Sequence, residues 1–285
     1  MAAVQRLCTI VGVEPLGRYA RVRLDAPDIA QAAQPGQFVA LTVGGPSSSL
    51  VLRRAFAVYR VGATTVEIVV AAHGPGTQWL VAQRPGRLVD VVGPLGRPFP
   101  DPDDDGPAVV VGGGYGTAAL IGLVERFRRR GRPVTAVVGA GTADKLVGVN
   151  ELEGLGAEVF VATDDGSAGS PGFVTDLLTG SASSALAHAS AVYACGPMAM
   201  LAATASAAAQ AGVTCWCSVE ESMACGIGVC MTCVLPVVDT DGQTRMLRSC
   251  VSGPTFDGAR VRWADVGTVP SDCVGAPGAA ATGGD

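Results

Sequence analysis

From Val4 to about Phe99, short apolar runs alternate with Gly, Pro and Asp: LCTIVGV, ARVRL, GQFVALTV, AFAVYRV, TVEIVVAA and LVDVVG. Evenly spaced β runs with turn residues between them predict a small antiparallel barrel over residues 1–99. The acidic, Pro-rich FPDPDDDGP at 99–107 reads as a linker. Beyond it the period changes. Buried strands are predicted over 108–111, 134–139, 158–162 and 191–194, with helical patterns over 117–130, 146–155 and 198–211. That alternation predicts an α/β domain over 100–214, a parallel sheet with helices on both faces. From Cys215 the chain is Cys-rich and then returns to β-like sequence, VLPVVDTDGQTRMLRSCV, with Asp241-Gly242 as the turn of a hairpin. This third unit is assigned to 215–265. Residues 266–285, ending in the low-complexity GAPGAAATGGD, are expected to be a disordered tail.

Composition narrows the class. With 285 residues, 48% hydrophobic and 16% charged, the chain can bury full cores without staples. A net charge of -5 leaves no basic face for a polynucleotide, so nucleic acid is not expected as a partner. Two uncharged stretches, 108–124 and 177–219, are not read as membrane spans, because glycines break the first and the second is mostly Ala and Ser. The N-terminus MAAVQRLCTI has one Arg and no long apolar run before Glu14, so a cytoplasmic protein is expected.

Seven of the 9 cysteines lie from Cys215 to Cys273. An odd, clustered set is a poor disulfide framework and points to ligation. CGIGVCMTC followed by Cys250 gives C-x4-C-x2-C-x16-C over Cys225, Cys230, Cys233 and Cys250, the plant-type spacing for a 2Fe-2S cluster. Gly226 and Gly228 let the backbone wrap inorganic sulfide. Zinc also takes four thiolates, but its sites usually pair two short knuckles and here the fourth Cys stands alone. Cys8, Cys215 and Cys217 read as small buried hydrophobes. Cys195 opens CGPMAML between a strand end and a helix start, where an open α/β sheet binds nucleotides.

VVVGGGYGTAAL at 109–120 runs from a strand through glycines into a helix, and its N–H groups suit a pyrophosphate. Read as G-x-G-x-x-A at Gly114, Gly116 and Ala119, it matches the dinucleotide fingerprint loosely, with no acid ending the next strand to hold a ribose. Alone it does not separate a phosphate site from a tight turn. HGPGTQWL at 73–80 is a second Gly-rich turn entering a short helix, and Arg54 of LRRAFAV is placed to share its anion. Asp164 and Asp165, with no Arg cluster nearby, predict NADH over NADPH. His188 reads as incidental. His73, beside the Gly-rich turn, reads as structural or as lining a flavin.

Taken in order, LRRAFAV, HGPGT, VGPLGRPF, VVGGGYGTAAL, VFVATDDGSAGSPGFVTDLL, VYACGPMAML, EESMACGIGVCMTC and RSCVSGPTF resemble the ferredoxin-reductase-like flavoproteins, and within them the electron-transfer subunit of class 1B dihydroorotate dehydrogenase. The resemblance covers nearly all of residues 4–265. It implies an FAD-binding β-barrel, an NAD-binding α/β domain and a small C-terminal 2Fe-2S domain. It further implies Arg54 at the FAD pyrophosphate, Ala55, Phe56 and Ala57 beside the isoalloxazine, Gly76 and Thr77 at a phosphate, and Val69, Val70 and Ala71 among the cofactor contacts. NAD(H) is implied at Gly113, Gly114, Gly116, Thr117, Cys195, Gly196 and Pro197. Ala57 departs from the family, which carries Ser or Thr there, so a flavin hydrogen bond is absent. NADH gives two electrons as hydride and a 2Fe-2S cluster takes one at a time, so a flavin must stand between them. No segment remains for an eight-fold barrel that would oxidise dihydroorotate. The implied partner is an FMN-containing catalytic subunit, in a heterotetramer. Reductase subunits of hydrogenase or of ferredoxin:NADP oxidoreductase type, and a non-catalytic redox sensor, are the alternative readings.

Overall fold

The computed structural model describes residues 3–45, 48–102 and 104–276. Its first sheet contains β1 (Val4–Leu16), β2 (Tyr19–Asp25), β3 (Phe38–Leu41), β4 (Arg54–Ala57), β5 (Arg60–Val61), β6 (Thr65–Val70) and β7 (Leu88–Leu95). Two short helices, α1 (Pro27–Ala32) and α2 (Pro75–Val81), interrupt them. The strand order β4-β3-β7-β1-β2-β6-β5 is antiparallel throughout. Its two edge strands, β4 and β5, are consecutive in the chain and joined only by Val58 and Tyr59, so the chain itself curls the sheet toward closure. Ile10, Val22, Leu24, Val39, Leu41 and Ile68 fill the interior, the alternate positions of the predicted runs.

The second sheet is built on β8 (Ala108–Gly113), β9 (Val134–Ala140), β10 (Glu158–Thr163), β11 (Ser170–Pro171), β12 (Ala191–Cys195) and β13 (Cys215–Ser218), all parallel. Helices α3 (Ala118–Arg129) and α4 (Val149–Gly154) cover one face. On the other lie α5 (Val174–Thr179), α6 (Ser183–Ala187) and α7 (Met198–Gln210). Along β8 the side chains alternate, Ala108 and Val110 toward α3, Val109 and Val111 toward α7. The sequence reading did not anticipate α5 and α6, whose runs of five or six residues are too short to display a helical period.

Cys215–Ser218 is thus a strand of the nucleotide-type sheet, whereas the expected boundary before Cys215 assigned it to the Cys-rich unit. The chain leaves this sheet at Ser218, forms a hairpin of β14 (Val234–Val238) and β15 (Thr244–Arg248) and the turn α8 (Ser249–Ser252), and returns on β16 (Thr255–Asp257). Ser218 pairs directly with Thr255, so the Cys-rich segment is an insertion between two neighbouring strands. The expected tail starts in packed structure: Cys273 is buried and Asp272 binds Arg262. The remainder, 277–285, lies outside the described residues.

The acidic segment is fastened through Asp101, Asp104 and Gly106. Arg126 and Arg130 bind Asp101, and buried Arg132 donates to the carbonyls of Gly106 and Asp104. The RRRGR end of α3 therefore neutralises the Asp-rich stretch beside it. Tyr59, from the link between β4 and β5, is fully buried in the core formed with α3, and Phe99 packs edge-on to Tyr193, 5.6 Å between centroids. Barrel and α/β domain thus share apolar packing.

Candidate functional site

Three features converge where the units meet. The first is the Cys-rich loop. Cys225 and Cys230 stand with their Sγ atoms 3.3 Å apart, and buried Cys250 faces buried Cys233. Among the described residues no three His, Cys, Asp or Glu side chains are arranged around one metal ion. Two thiol pairs, one within the loop and one between Cys233 and Cys250 of α8, suit a dinuclear cluster, which takes two thiolates per iron, better than a single tetrahedral zinc. Burial raises the Cys225 thiol, but the backbone N–H of Cys230 and of Ile227, the Cys230 thiol and the N–H of Val229 together outweigh it and hold the thiol down at about 6. Donors aimed at sulfur are what a thiolate-held cluster requires. Cys250, by contrast, is pushed up to about 12 by burial and by Cys233.

The loop needs its glycines. Gly226 and Gly228 have φ of 70° and 81°, and a β-carbon on Gly228 would lie 2.4 Å from Val251. Arg248 donates to the Gly228 carbonyl, tying the loop to β15. The loop rests on the barrel, with Cys233 and Cys250 sharing a small core with Phe38, Ala40 and Leu95.

The second feature is a shelf on the barrel. On β4, Arg54 and Phe56 alternate with exposed Ala55 and Ala57. Cross-strand partners share a face, so Ala55 and Ala57 lie on the side of Ala40 and Phe38, the side on which the Cys-rich loop rests. Phe56 packs inward. Two methyl groups leave a flat, open floor next to the loop. Arg54 reaches the start of α2, where its Nε is 3.4 Å from the position a β-carbon would take on Gly76. Thr77 donates to the Gly74 carbonyl and accepts from the Gly74 N–H, fixing the turn. The neighbouring Arg53 is spent on Asp90, at 2.6 Å. Val70 is interior to the barrel, while Val69 and Ala71 are half-buried.

The third is a cavity of about 730 Å³ at the carboxyl ends of β8, β9, β10 and β12. The sheet order β10-β9-β8-β12-β13 reverses direction between β8 and β12, the position where open α/β sheets bind ligands. Gly113, Gly114 and Pro197 line it. Gly116 and Gly196 act behind them. A β-carbon on Gly116 would lie 2.7 Å from the Cys195 carbonyl, and one on Gly196 3.0 Å from the Gly113 nitrogen, so these glycines let the two loops touch. Thr117 is buried, and burial raises the Cys195 thiol to about 12.

The same cavity gathers residues that motif reading passed over. Tyr115 forms a T-shaped pair with Tyr19 of β2, 5.9 Å between centroids, and donates to Glu220. His73 reaches it from the barrel, 6.4 Å from Tyr115. Arg18, Lys145 and Met200 also line it. Of the two expected acids, Asp164 lines the cavity, whereas Asp165 is turned to the N–H and hydroxyl of Ser167. The expectation names no Arg cluster beside them; the cavity carries one Arg and one Lys, Arg18 from the β1–β2 turn and Lys145 from the loop after β9. No local spacing joins residues 18, 145 and 164. His188 is exposed and bonds the Ser184 carbonyl, outside this site. Cys8, Cys215 and Cys217 are buried hydrophobes.

Residues 220–262 match the model of the iron-sulfur cluster binding domain of dihydroorotate dehydrogenase B. The chain is 34% identical over 244 residues to the dihydroorotate dehydrogenase B (NAD(+)) electron transfer subunit of Desulforamulus reducens, covering 85% of this chain and 92% of the relative. The family is settled by this breadth. The chain belongs to the electron transfer subunits of dihydroorotate dehydrogenase B. Against the subunit of this family from Geobacillus sp. strain WCH70 the identity is 35%, over 90% and 98% of the two chains. Among solved structures, a chain from an NADH-dependent reduced ferredoxin-NADP oxidoreductase superposes with a TM-score of 0.78 at 30% identity, over 92% and 91% of the chains. The ferredoxin reductase of carbazole 1,9a-dioxygenase superposes at 0.64 with 22% identity over 75% and 67%, sharing the fold. This electron transfer subunit therefore has the ferredoxin-reductase architecture, and its cluster-binding domain encloses all four cysteines. No helix among the described residues is long and apolar enough to cross a membrane.

Proposed function

We propose that the chain passes electrons between the FMN of a separate dihydroorotate-oxidising subunit and NAD+, with a 2Fe-2S cluster held by Cys225, Cys230, Cys233 and Cys250, FAD on the β4 shelf and NAD(H) in the interdomain cavity. The observation that carries this reading is adjacency: the cysteine loop and the shelf occupy one face of the barrel, and the nucleotide cavity opens between the barrel and the β8 and β12 loops. When bound, FAD exchanges a hydride with nicotinamide and single electrons with the cluster.

The chain's own residues bind and orient. Arg54 and the Gly74–Thr77 turn receive a pyrophosphate. Ala55 and Ala57 let a ring system lie flat against the strand, and Ala57 supplies no hydroxyl to it. Gly113, Gly114, Gly116, Thr117, Cys195, Gly196 and Pro197 form the crossing over which a dinucleotide lies. Ile227, Val229 and Met231 are exposed on the cysteine loop, with no charge between Glu221 and Asp239 to oppose desolvation. They suit burial against the catalytic subunit, in a heterotetramer of two such pairs. A cytoplasmic location is consistent with this assembly. The likeness to the ferredoxin-NADP oxidoreductase chain supports a competing reading, in which the same modules serve another oxidoreductase.

The test is reconstitution. The isolated chain should contain about two irons and two sulfides, reduce dyes with NADH and fail to oxidise dihydroorotate. Adding the FMN barrel subunit should give dihydroorotate:NAD+ activity. Oxidation of dihydroorotate by the chain alone, or no gain on mixing, refutes the proposal.

A further inference from the structure

At the end nearest the barrel shelf and the cysteine loop, the nucleotide cavity holds an unpaired acid. β13 ends at Ser218, which pairs with Thr255, and the Val219 N–H donates to the Pro254 carbonyl at 2.9 Å. Glu220 is therefore the first residue to leave the sheet, and it follows two that are buried and fixed. Its side chain is exposed and lines the cavity, where it accepts from the Tyr115 hydroxyl. Its charge also acts on Cys195, adding to the burial that raises that thiol. The carboxylate thus stands beside the crossing of the β8 and β12 loops.

Tyr115 holds it there. The ring is braced on the barrel by Tyr19 and lies 6.4 Å from His73. Burial and the Glu220 carboxylate push the Tyr115 phenol well up, so it stays a donor. Among the described residues Tyr115 is the hydrogen-bond partner of Glu220, and no ion pair reaches that carboxylate. The other charges of the cavity gather at the opposite end. Arg18 is paired with Asp144 at 3.2 Å, and Lys145 faces Asp164 across Gly141, with Asp165 on the same turn bound to Ser167. Beside Glu220 itself, Glu221 is half-buried, and burial raises its carboxyl.

On the nucleotide-site reading above, on which this inference rests, the nicotinamide must reach the shelf, so it lies at the Glu220 end. The ring of NAD+ carries a positive charge, and accepting a hydride removes it. We propose that Glu220, held in place by Tyr115, is the counter-charge of the oxidised nicotinamide ring, so that the cavity retains NAD+ and releases NADH. A carboxylate beside the ring attracts the cationic form and gives nothing to a neutral ring of the same shape. Substrate and product share every other contact, so discrimination between them has to come from a group that reads this one charge. Turnover toward NADH needs that order of affinities. Tyr115 is a positioning residue, fixing where the charge stands.

The experiment titrates the oxidised, flavin-loaded protein by calorimetry, so that the readout is binding and not turnover. The ligands are NAD+, tetrahydro-NAD, whose ring is neutral and gives no hydride, and ADP-ribose, which lacks the ring. Wild type should bind NAD+ more tightly than tetrahydro-NAD by about fivefold or more, and the margin should shrink as salt is raised. Glu220→Gln should abolish the margin by weakening NAD+ alone, leaving tetrahydro-NAD and ADP-ribose as they are and the ratio insensitive to salt. Tyr115→Phe keeps the ring and frees the carboxylate, and its margin should fall between the two. Equal affinities in wild type, a margin that survives Glu220→Gln, or an equal loss for all the ligands overturns the counter-charge. A Tyr115→Phe margin equal to that of wild type overturns the positioning role. Wild type binding none of the ligands, ADP-ribose included, overturns the nucleotide-site reading itself, and this inference with it.

Discussion

Ala40 lies directly opposite Ala55 across β3 and β4, and its methyl group is 3.6 Å from the position a β-carbon would take on Gly226 of the cysteine loop. One strand therefore separates the loop from the proposed flavin shelf, and small residues keep the separation short. Gly226→Ala adds a side chain to a backbone at φ 70°, a strain of about 1–2 kcal/mol. Gly228→Ala adds the same strain and a clash with Val251. Both variants should lose iron on gel filtration, Gly228→Ala more, while flavin absorbance stays. Equal iron retention in both would contradict the loop packing.

Cys225→Ser, Cys230→Ser, Cys233→Ser and Cys250→Ser should each strip the cluster and leave the flavin in place, read as iron content and visible absorption. Cys8→Ser should do neither. Stoichiometric zinc in anaerobically prepared protein would refute the cluster assignment.

Val229 and Met231 are 80% and 59% exposed, so charges there should not unfold the chain. Val229→Glu and Met231→Lys are expected to weaken binding to the FMN subunit by tenfold or more while NADH-to-dye activity stays within twofold, measured by co-purification and steady-state kinetics. Unchanged partner binding would remove the loop from the interface.

The hairpin turn carries an acid-sensitive pair. Hydrogen bonds from Arg245 and the Gln243 N–H hold the Asp241 carboxyl down at about 2, from an ordinary 3.8. Because the folded value is the lower one, the pair's contribution is present above the unfolded value and is lost as pH falls through the folded one. Wild type should therefore melt above Arg245→Ala at pH 5, and the gap should shrink between about pH 4 and about pH 2. A gap independent of pH would mean that Arg245 acts through packing alone.

Tyr59 joins the two large domains. Tyr59→Ala should cost about 3–5 kcal/mol by leaving a cavity against α3, and Tyr59→Phe much less. Comparable losses in chemical denaturation would assign the effect to the hydroxyl instead of the ring.

Taken alone, the sequence was enough for what is local. The alternation of β1 to β7, the strand–glycine–helix passage at β8, the Asp241-Gly242 hairpin and the four-cysteine spacing all lie within segments whose periodicity or turn chemistry follows from neighbouring residues. Tertiary structure decided what depends on residues far apart in the chain. Cys215–Ser218 became a strand of the α/β sheet because β12 and β16 flank it, a pairing invisible in four residues. Asp101, Asp104 and Asp105 are held because arginines in α3 and just beyond it face them. Only the crossing of the sheet and the docking of the β1–β2 turn bring Arg18, Lys145 and Asp164 to one cavity. Charge acts through space, so a reading along the chain found the acid and missed the cations that surround it.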